Sequence, residues 1–195
     1  RVIIGENEAQ QAGRTSANIA YMAQQDLLLP WLDALGNVTL GARLRRERPD
    51  HARARELLRQ VGLANYERAL PATLSGGMRQ RVALARTLME GRPVILMDEP
   101  FSALDAITRV RLQELAAKLL RGRTILLVSH DPLEALRISK RIFIMSGRPA
   151  RLSEAPLPNG ETPRDPADTG LLRHHAELLQ LLNAADGDSL SEMAP

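Results

Sequence analysis

Cysteine is absent from this chain, lysine occurs only as Lys118 and Lys140, and aromatic side chains make up 3% of the residues. Without cysteine there is no disulfide scaffold, no Cys-ligated zinc and no thiol nucleophile, a usage compatible with a cytosolic home. No apolar run approaches the roughly 20 residues that a membrane-spanning helix needs. The opening Arg1-Val2-Ile3-Ile4-Gly5 has no apolar signal-peptide segment, and it does not begin with Met, so the reading expects a start part-way through a longer protein. The lysine shortage means that the positive charge is nearly all arginine. Lys+Arg number 26 against 23 Asp+Glu, a net +3, with a pI near 9.9. These arginines are dispersed among acids, not massed in a tract, which argues against a nucleic-acid partner.

What is present is enough for a sizeable core. The 195 residues are 44% apolar and 25% charged, with mean hydropathy −0.20, the profile of a soluble globular domain of α/β size. Three short apolar runs, Val94 to Met97, Thr124 to Val128 and Ile142 to Met145, alternate with helix-length stretches around 106–121 and 132–139. Runs apolar on both faces predict strands buried on both faces, joined in a parallel sheet by right-handed crossovers. Arg-rich helical pattern fills much of 43–60, with Leu44, Leu57, Leu58 and Val61 as apolar positions and Gly62 as the stop. Residues 1–4 and 18–23 read as two further strands joined by the polar stretch Glu6 to Ser16. From about residue 148 the composition turns to Pro, Gly, Asp and Glu, broken by an amphipathic stretch from Leu171 to Leu182 in which Leu172, Leu178, Leu179 and Leu182 fall at helical spacing. The last ten residues have the composition of disorder.

Two of the apolar runs end in polar groups: Met97 runs into Asp98-Glu99-Pro100, and Val128 into Ser129-His130-Asp131. Ligands of open parallel sheets bind outside the carboxyl ends of the strands. Asp98 and Glu99 there suit a Mg²⁺ ligand beside a group that activates water, although a lone Asp-Glu is more often a helix N-cap pair. His130 alone is a weak signal, strengthened by its placement beside that strand. Leu74-Ser75-Gly76-Gly77-Met78-Arg79-Gln80-Arg81 opens a helix whose apolar stripe is Val82, Ala85, Leu88 and Met89. Ser75 is the natural N-cap, and the glycines leave backbone N–H groups open at the positive end of a helix, where a phosphate binds readily.

The string Leu74 to Arg81 resembles the signature motif of the ATP-binding-cassette ATPases. In that family's order, Val94 to Pro100 resembles the Walker B strand, Ser102-Ala103-Leu104-Asp105 the D-loop, Ser129-His130-Asp131 the switch-histidine region, and Met22 to Trp31 the Q-loop, with Gln24 as the key glutamine. The resemblance implies an α/β fold with a P-loop NTPase-type parallel sheet core and a helical subdomain. It implies ATP and Mg²⁺ as cofactors. Asp98 would hold the metal, Glu99 polarise the attacking water, His130 contact the γ-phosphate, and Gln24 sense metal and water. Ser75, Gly76 and Gly77 would touch ATP held by the opposite subunit of a head-to-tail homodimer, with Asp105 joining the two sites.

The same resemblance requires a Walker A loop, G-x-x-x-x-G-K-[ST], ahead of the Q-loop. The two lysines follow Ala117 and Ser139, so the sequence contains no Gly-Lys pair. The core is therefore expected to lack its N-terminal Walker A portion, and the 195 residues alone to be inactive. The expected layout is 1–26 as the remaining N-terminal β region and Q-loop, 27–73 as the helical subdomain, 74–147 as the signature-to-H-loop core, 148–185 as an extension with one helix, and 186–195 as a disordered tail. Leu28-Leu29-Pro30-Trp31 and Ser146 to Arg151 resemble ATPases of bacterial importers for nitrate, sulfonates, taurine and hydroxymethylpyrimidine-type precursors. Such an enzyme would lie peripherally on the cytoplasmic face of the inner membrane and couple ATP hydrolysis to uptake. Its partners would be transmembrane permease subunits and a periplasmic or lipid-anchored substrate-binding protein. Trp31 and the leucines before it are candidates for the permease contact. The alternative reading is a non-catalytic remnant or a dimerising regulatory protein.

Overall fold

The computed structural model describes the backbone of residues 3–4, 7–8 and 18–191, with side chains placed for 18–184. Two compact units divide the chain, residues 1–128 and residues 129–195.

In the first unit, β1 (Ile3–Ile4) pairs antiparallel with β2 (Asn7–Glu8). The expected strand at 1–4 is thus a two-residue piece of a hairpin, and most of the polar Glu6–Ser16 stretch lies outside the described residues. Strands β3 (Ile19–Met22), β4 (Val94–Asp98) and β5 (Thr124–Val128) form a parallel sheet in the order β3-β4-β5. A parallel sheet joined through helices is the expected α/β core.

The helices start where side chains can cap them. Asp33 accepts from Gly36 N at 2.7 Å to open α1 (Ala34–Val38), which is followed by α2 (Leu40–Leu44). Asp50 accepts from Arg53 N at 2.9 Å to open α3 (His51–Gln60). Ser75 accepts from Met78 N at 3.3 Å to open α4 (Gly76–Met89), and Asp105 accepts from Thr108 N at 3.0 Å to open α5 (Ala106–Leu119). Each cap satisfies one of the amides that the first helical turn leaves unpaired. Helix α3 buries Ala54, Leu57 and Leu58 while Arg55 and Arg59 stay in solvent, and Gly62, at φ +73°, ends that segment. Helices α1 and α3 pack on α4, which in turn lies against β3. Val82, Ala83, Leu84, Ala85 and Leu88 therefore form the centre of this unit's core.

The sheet differs from expectation in its burial. Ala20, Met22, Ile95 and Met97 are buried on the face that turns to α4, but Tyr21 is 61% exposed, Leu126 59% and Val128 54%. Strand β5 is thus not buried on both faces. A continuous apolar run states what a strand needs, whereas burial depends on what lies over it, and no described residue covers this face.

In the second unit, α6 (Pro132–Ile138) is followed by β6 (Ile142–Ser146), β7 (Arg151–Ala155) and α7 (Thr169–Ser191). Strand β6 does not continue the parallel sheet: it pairs antiparallel with β7, Ile144 opposite Ser153. Ile142 and Ile144 are buried while Phe143 and Met145 are exposed, the alternation of a strand covered on one side. Leu136, Ile142, Ile144, Ala155, Leu171 and Leu178 form this unit's core, with Leu182 partly buried against it. On α7 Leu171 and Leu178 are buried and Leu182 is partly buried, while Leu172 and Leu179 are exposed, so Leu178 and Leu182 of the expected stripe face the core and Leu171 packs there in place of Leu172. Helix α7 also extends to Ser191, into the segment expected to be disordered.

Candidate functional site

Register brings the two acid-and-amide segments together. Strand β3 pairs with β4 so that Met22 lies beside Met97, an offset of 75 residues that continues past the strand ends: Gln24 Nε2 donates to Glu99 Oε2 at 3.0 Å, again across 75 residues. Parallel neighbours in register must release their next residues at the same edge, and this is the edge where open parallel sheets bind ligands. Asp98 closes β4 opposite Val128, and the ladder extends one bond further, Glu99 N donating to Val128 O at 2.9 Å. Glu99 has φ +46°, in the left-handed region that a non-glycine residue occupies at a cost. Its conformation is held by that bond and by the turn that follows, in which Ser102 Oγ and Ser102 N both donate to Glu99 O, at 3.0 and 3.3 Å. Asp98 and Glu99 are both half-buried. The turn is no helix start, so the N-cap alternative for this pair is excluded, and the capping acid is Asp105.

The signature segment meets the D-loop directly. A Cβ on Gly77 would stand 3.3 Å from Ala103 O and 3.4 Å from Leu104 Cδ2, so the absent side chain lets the backbones approach. Gly76 and Ser75 are exposed at the opening of α4, with only the end of Arg79 near a Cβ on Gly76. Gln80, buried, donates from Nε2 to Pro100 O at 3.3 Å and so ties α4 to the residue after Glu99. Asp105 is exposed, and the Thr108 amide that it caps holds its carboxyl below the usual carboxylate range. His130 belongs to the second unit, where it stands exposed just ahead of α6. There Asp131 caps the helix by accepting from Leu133 N and Glu134 N at 3.0 and 3.2 Å.

Three features escape the sequence reading. Asp26 receives Arg79 Nε at 2.8 Å, and Arg86 donates to Asp26 O at 2.6 Å and Leu27 O at 2.8 Å, so α4 grips the chain just after Gln24. Arg79 and Arg86, two turns apart, share a face of α4, and that spacing was the available signal. Asn37, fully buried, donates from Nδ2 to Leu29 O, Leu32 O and Asp33 O at 3.2, 3.0 and 3.1 Å and accepts from Leu29 N at 2.8 Å. It thereby fixes the turn that presents Trp31, 72% exposed, while Leu28 is buried beneath and Leu27 is 58% exposed. No signal in the sequence singled Asn37 out.

Among the described residues no cluster of three or more His, Cys, Asp or Glu could enclose a metal by itself. Two half-buried carboxylates suit a Mg²⁺ ion that completes its shell with phosphate oxygens and water. The open amides at Gly76 suit an anion. The residues present thus fit the metal-and-water side and the signature side of a nucleotide site, and the sequence holds no lysine-bearing phosphate loop.

Residues 2–102 match the family model described as ABC transporter. The chain is 46% identical over 169 residues to an uncharacterized ABC transporter ATP-binding protein of Haemophilus influenzae, covering 84% of this chain and 70% of that protein. It is 47% identical over 167 residues to the aliphatic sulfonates import ATP-binding protein SsuB 1 of Rhodococcus jostii, covering 85% of this chain and 65% of that one. Among solved structures it is similar to the ATP-binding cassette MJ0796 bound to ADP and Pi, a dimeric post-hydrolysis state, with a TM-score of 0.62 and 34% identity over 69% of this chain and 63% of that one.

Proposed function

This chain belongs to the ABC transporter family, and from that premise we propose that it is the ATP-binding subunit of a bacterial importer for a small solute, of the sulfonate, nitrate, taurine or thiamine-precursor kind. The observation that carries the reading is the Gln24–Glu99 hydrogen bond, since it joins the residue before the exposed Trp31 turn to the candidate water-activating carboxylate. ATP supplies a phosphoanhydride bond whose cleavage by water drives transport, with Mg²⁺ as its counter-ion. Asp98 holds the metal, Glu99 orients and polarises the water, and Gln24 couples that carboxylate to the Trp31 turn. His130 would be the histidine that contacts the γ-phosphate, as its match to the switch-histidine region implies. Ser75, Gly76 and Gly77 offer backbone and hydroxyl donors to nucleotide on a second copy in a head-to-tail dimer, with Asp105 at the joint; that the MJ0796 relative is dimeric supports an assembly of two copies. Permease subunits would dock on Trp31 and Leu27 at the cytoplasmic face of the inner membrane, with a periplasmic or lipid-anchored substrate-binding protein on the opposite side.

These 195 residues by themselves do not turn over ATP in this reading, because no Gly-Lys loop is present to cradle the β- and γ-phosphates. Phosphate release is the test. The chain alone should give none above buffer. Fused to the phosphate-loop segment of the Rhodococcus sulfonate relative, and checked for folding by circular dichroism, it should gain Mg²⁺-dependent release that Glu99→Gln removes by at least about a hundredfold, the scale of losing the group that activates the nucleophile. A folded, inactive fusion, or an unaffected Glu99→Gln variant, overturns the proposal. Turnover by the chain alone overturns its inactive part.

A further inference from the structure

The stretch from Arg43 to Arg59 holds seven arginines, and the structure sorts them into two sets. Four are engaged: Arg45 with Glu90 and Glu47 at 2.6 and 2.9 Å, Arg53 with Leu88 O at 3.3 Å, Arg55 with Glu67 at 3.1 Å, and Arg59 with Glu56. The guanidinium groups of Arg43, Arg46 and Arg48 make no hydrogen bond or ion pair among the described residues. The one acid between them, Glu47, is already taken by Arg45. Residues 43–48 are exposed without interruption, and Leu44 among them is 74% exposed.

The turn that carries these side chains ends α2 as a Schellman motif. Arg46 N donates to Arg43 O at 3.1 Å and Glu47 N to Ala42 O at 2.9 Å, with Arg46 at φ +60°. Glycine is the ordinary occupant of that position, because any side chain there costs conformational energy. This chain ends α3 in the same way and does use glycine: Gly62, at φ +73°, donates to Arg59 O at 3.0 Å, and Leu63 N donates to Leu58 O at 2.8 Å. The stop of α2 thus gives up glycine for a cation in solvent, and no contact of the Arg46 guanidinium among the described residues offsets the strain. A strained residue whose side chain touches nothing in its own fold points to a partner outside it.

Three unpaired guanidinium groups flanking an exposed leucine have the chemistry that suits a phospholipid surface. The guanidinium fork matches phosphate oxygens in pairs, and an apolar side chain beside it buries at the boundary of the acyl layer. A partner protein would need carboxylates fixed opposite three separate arginines, whereas lipid headgroups move laterally to meet them. We propose that the Arg43–Arg48 turn docks on an anionic phospholipid bilayer, with Arg43, Arg46 and Arg48 on headgroup phosphates and Leu44 in the interface. The inference rests on the importer reading only for the nearness of a membrane. The two fail separately, since vesicle binding needs no ATP and phosphate release needs no vesicle.

The probe is vesicles of equimolar phosphatidylglycerol and phosphatidylcholine, floated through a density gradient with the full 195-residue chain. The chain should float with them at low ionic strength, and stay behind in high salt or with phosphatidylcholine alone. Each arginine near such a surface is worth about fivefold in affinity, so replacing Arg43, Arg46 and Arg48 together by Gln should cost about a hundredfold. Leu44→Gln should cost about tenfold with an unchanged melting temperature, because Leu44 is already in solvent. Arg46→Gly separates binding from folding: its melting temperature should rise, since glycine is at ease at positive φ, while vesicle affinity falls about fivefold. The proposal is overturned if the phosphatidylglycerol vesicles do not float the chain or if the three-Gln variant floats as the parent does. It is equally overturned if the three arginines hold poly-glutamate or duplex DNA and not the vesicles.

Discussion

Arg86 has to satisfy two opposing demands. Burial pushes its guanidinium below the usual arginine value, and the Asp26 and Glu90 carboxylates pull it back. It stays charged and spends its donors on Asp26 O and Leu27 O, at the place where Leu27 takes φ +46°. A leucine in the left-handed region is strained by about 1–3 kcal/mol and persists only when its neighbours hold it. Arg86→Met keeps the aliphatic stem and removes the grip. Leu27 should then relax, with a loss of about 2 kcal/mol, the scale of charge-assisted hydrogen bonds to backbone. Trp31 is the only tryptophan, so its emission anisotropy reads the segment directly and should fall. Arg86→Lys, with one short donor for two carbonyls, should restore part of the signal. In a Leu27→Gly background, where the positive φ carries no penalty, Arg86→Met should cost less. Unchanged anisotropy in Arg86→Met would show that the grip does not position this segment.

At the scale of elements, the second unit depends on one arginine to finish α6. Arg164, buried, donates from Nη1 to Leu136 O at 2.6 Å and Ser139 O at 3.0 Å, carbonyls at the C-terminal end of that helix. The attachment is reciprocal, for Arg164 N donates to Arg137 O at 2.9 Å and Arg137 Nε to Arg164 O at 3.1 Å. Desolvation lowers the Arg164 pKa, yet two carbonyls at the negative end of a helix favour the cation. Arg164→Met should destabilise the unit by about 2 kcal/mol and speed amide exchange in α6 while that in α4 is unchanged; equal exchange in the two proteins would remove this role. The sequence made some elements legible and not others, for physical reasons. Helix α4 was readable because Ser75 offers its N-cap and apolar positions follow at helical spacing, and α5 and α6 because helix-length stretches lie between the apolar runs. Strands β4 and β5 were readable as apolar runs, and the residues after β4 as a site because carboxylates directly follow it. The partner of β6 was not readable, because an apolar run has no mark for parallel or antiparallel neighbours, and β7, Arg-Leu-Ser-Glu-Ala, is too polar to announce a strand. The Asn37 turn and the Arg86 grip were hidden because both bond to backbone carbonyls, which every residue possesses.

For the molecule as a whole, the unresolved demand of the sequence is cover for the sheet. Strand β5 ends the order β3-β4-β5, its five residues are Thr-Ile-Leu-Leu-Val, and it carries no charge, proline or bulge on its open edge. Leu126, Val128 and, on β3, Tyr21 are more than half exposed, and Leu126 and Tyr21 share one register row with Leu96 between them. Parallel sheets are ordinarily covered on both faces, and an apolar edge without a charged guard is a template for another strand. Leu44 on α2 and Ile107 on α5 are exposed as well, but the exposed side chains of this sheet occupy neighbouring register positions. The 195-residue chain should therefore self-associate as its concentration rises, more strongly in added salt, since screening leaves the apolar drive in place. Leu126→Lys puts a charge on the exposed side of β5 and removes little packing, so stability should change by no more than about 0.5 kcal/mol while sedimentation shifts towards monomer. Leu112→Lys, at a buried position on α5, should instead unfold the unit, which separates loss of association from loss of fold. This association is distinct from the proposed head-to-tail dimer, which uses Gly76 and Gly77 and needs nucleotide: Leu126→Lys should spare the nucleotide-dependent dimer of the phosphate-loop fusion. A chain that sediments as monomer at all concentrations, or associates equally with Leu126→Lys, would mean that the exposed face of β3-β4-β5 is tolerated in water.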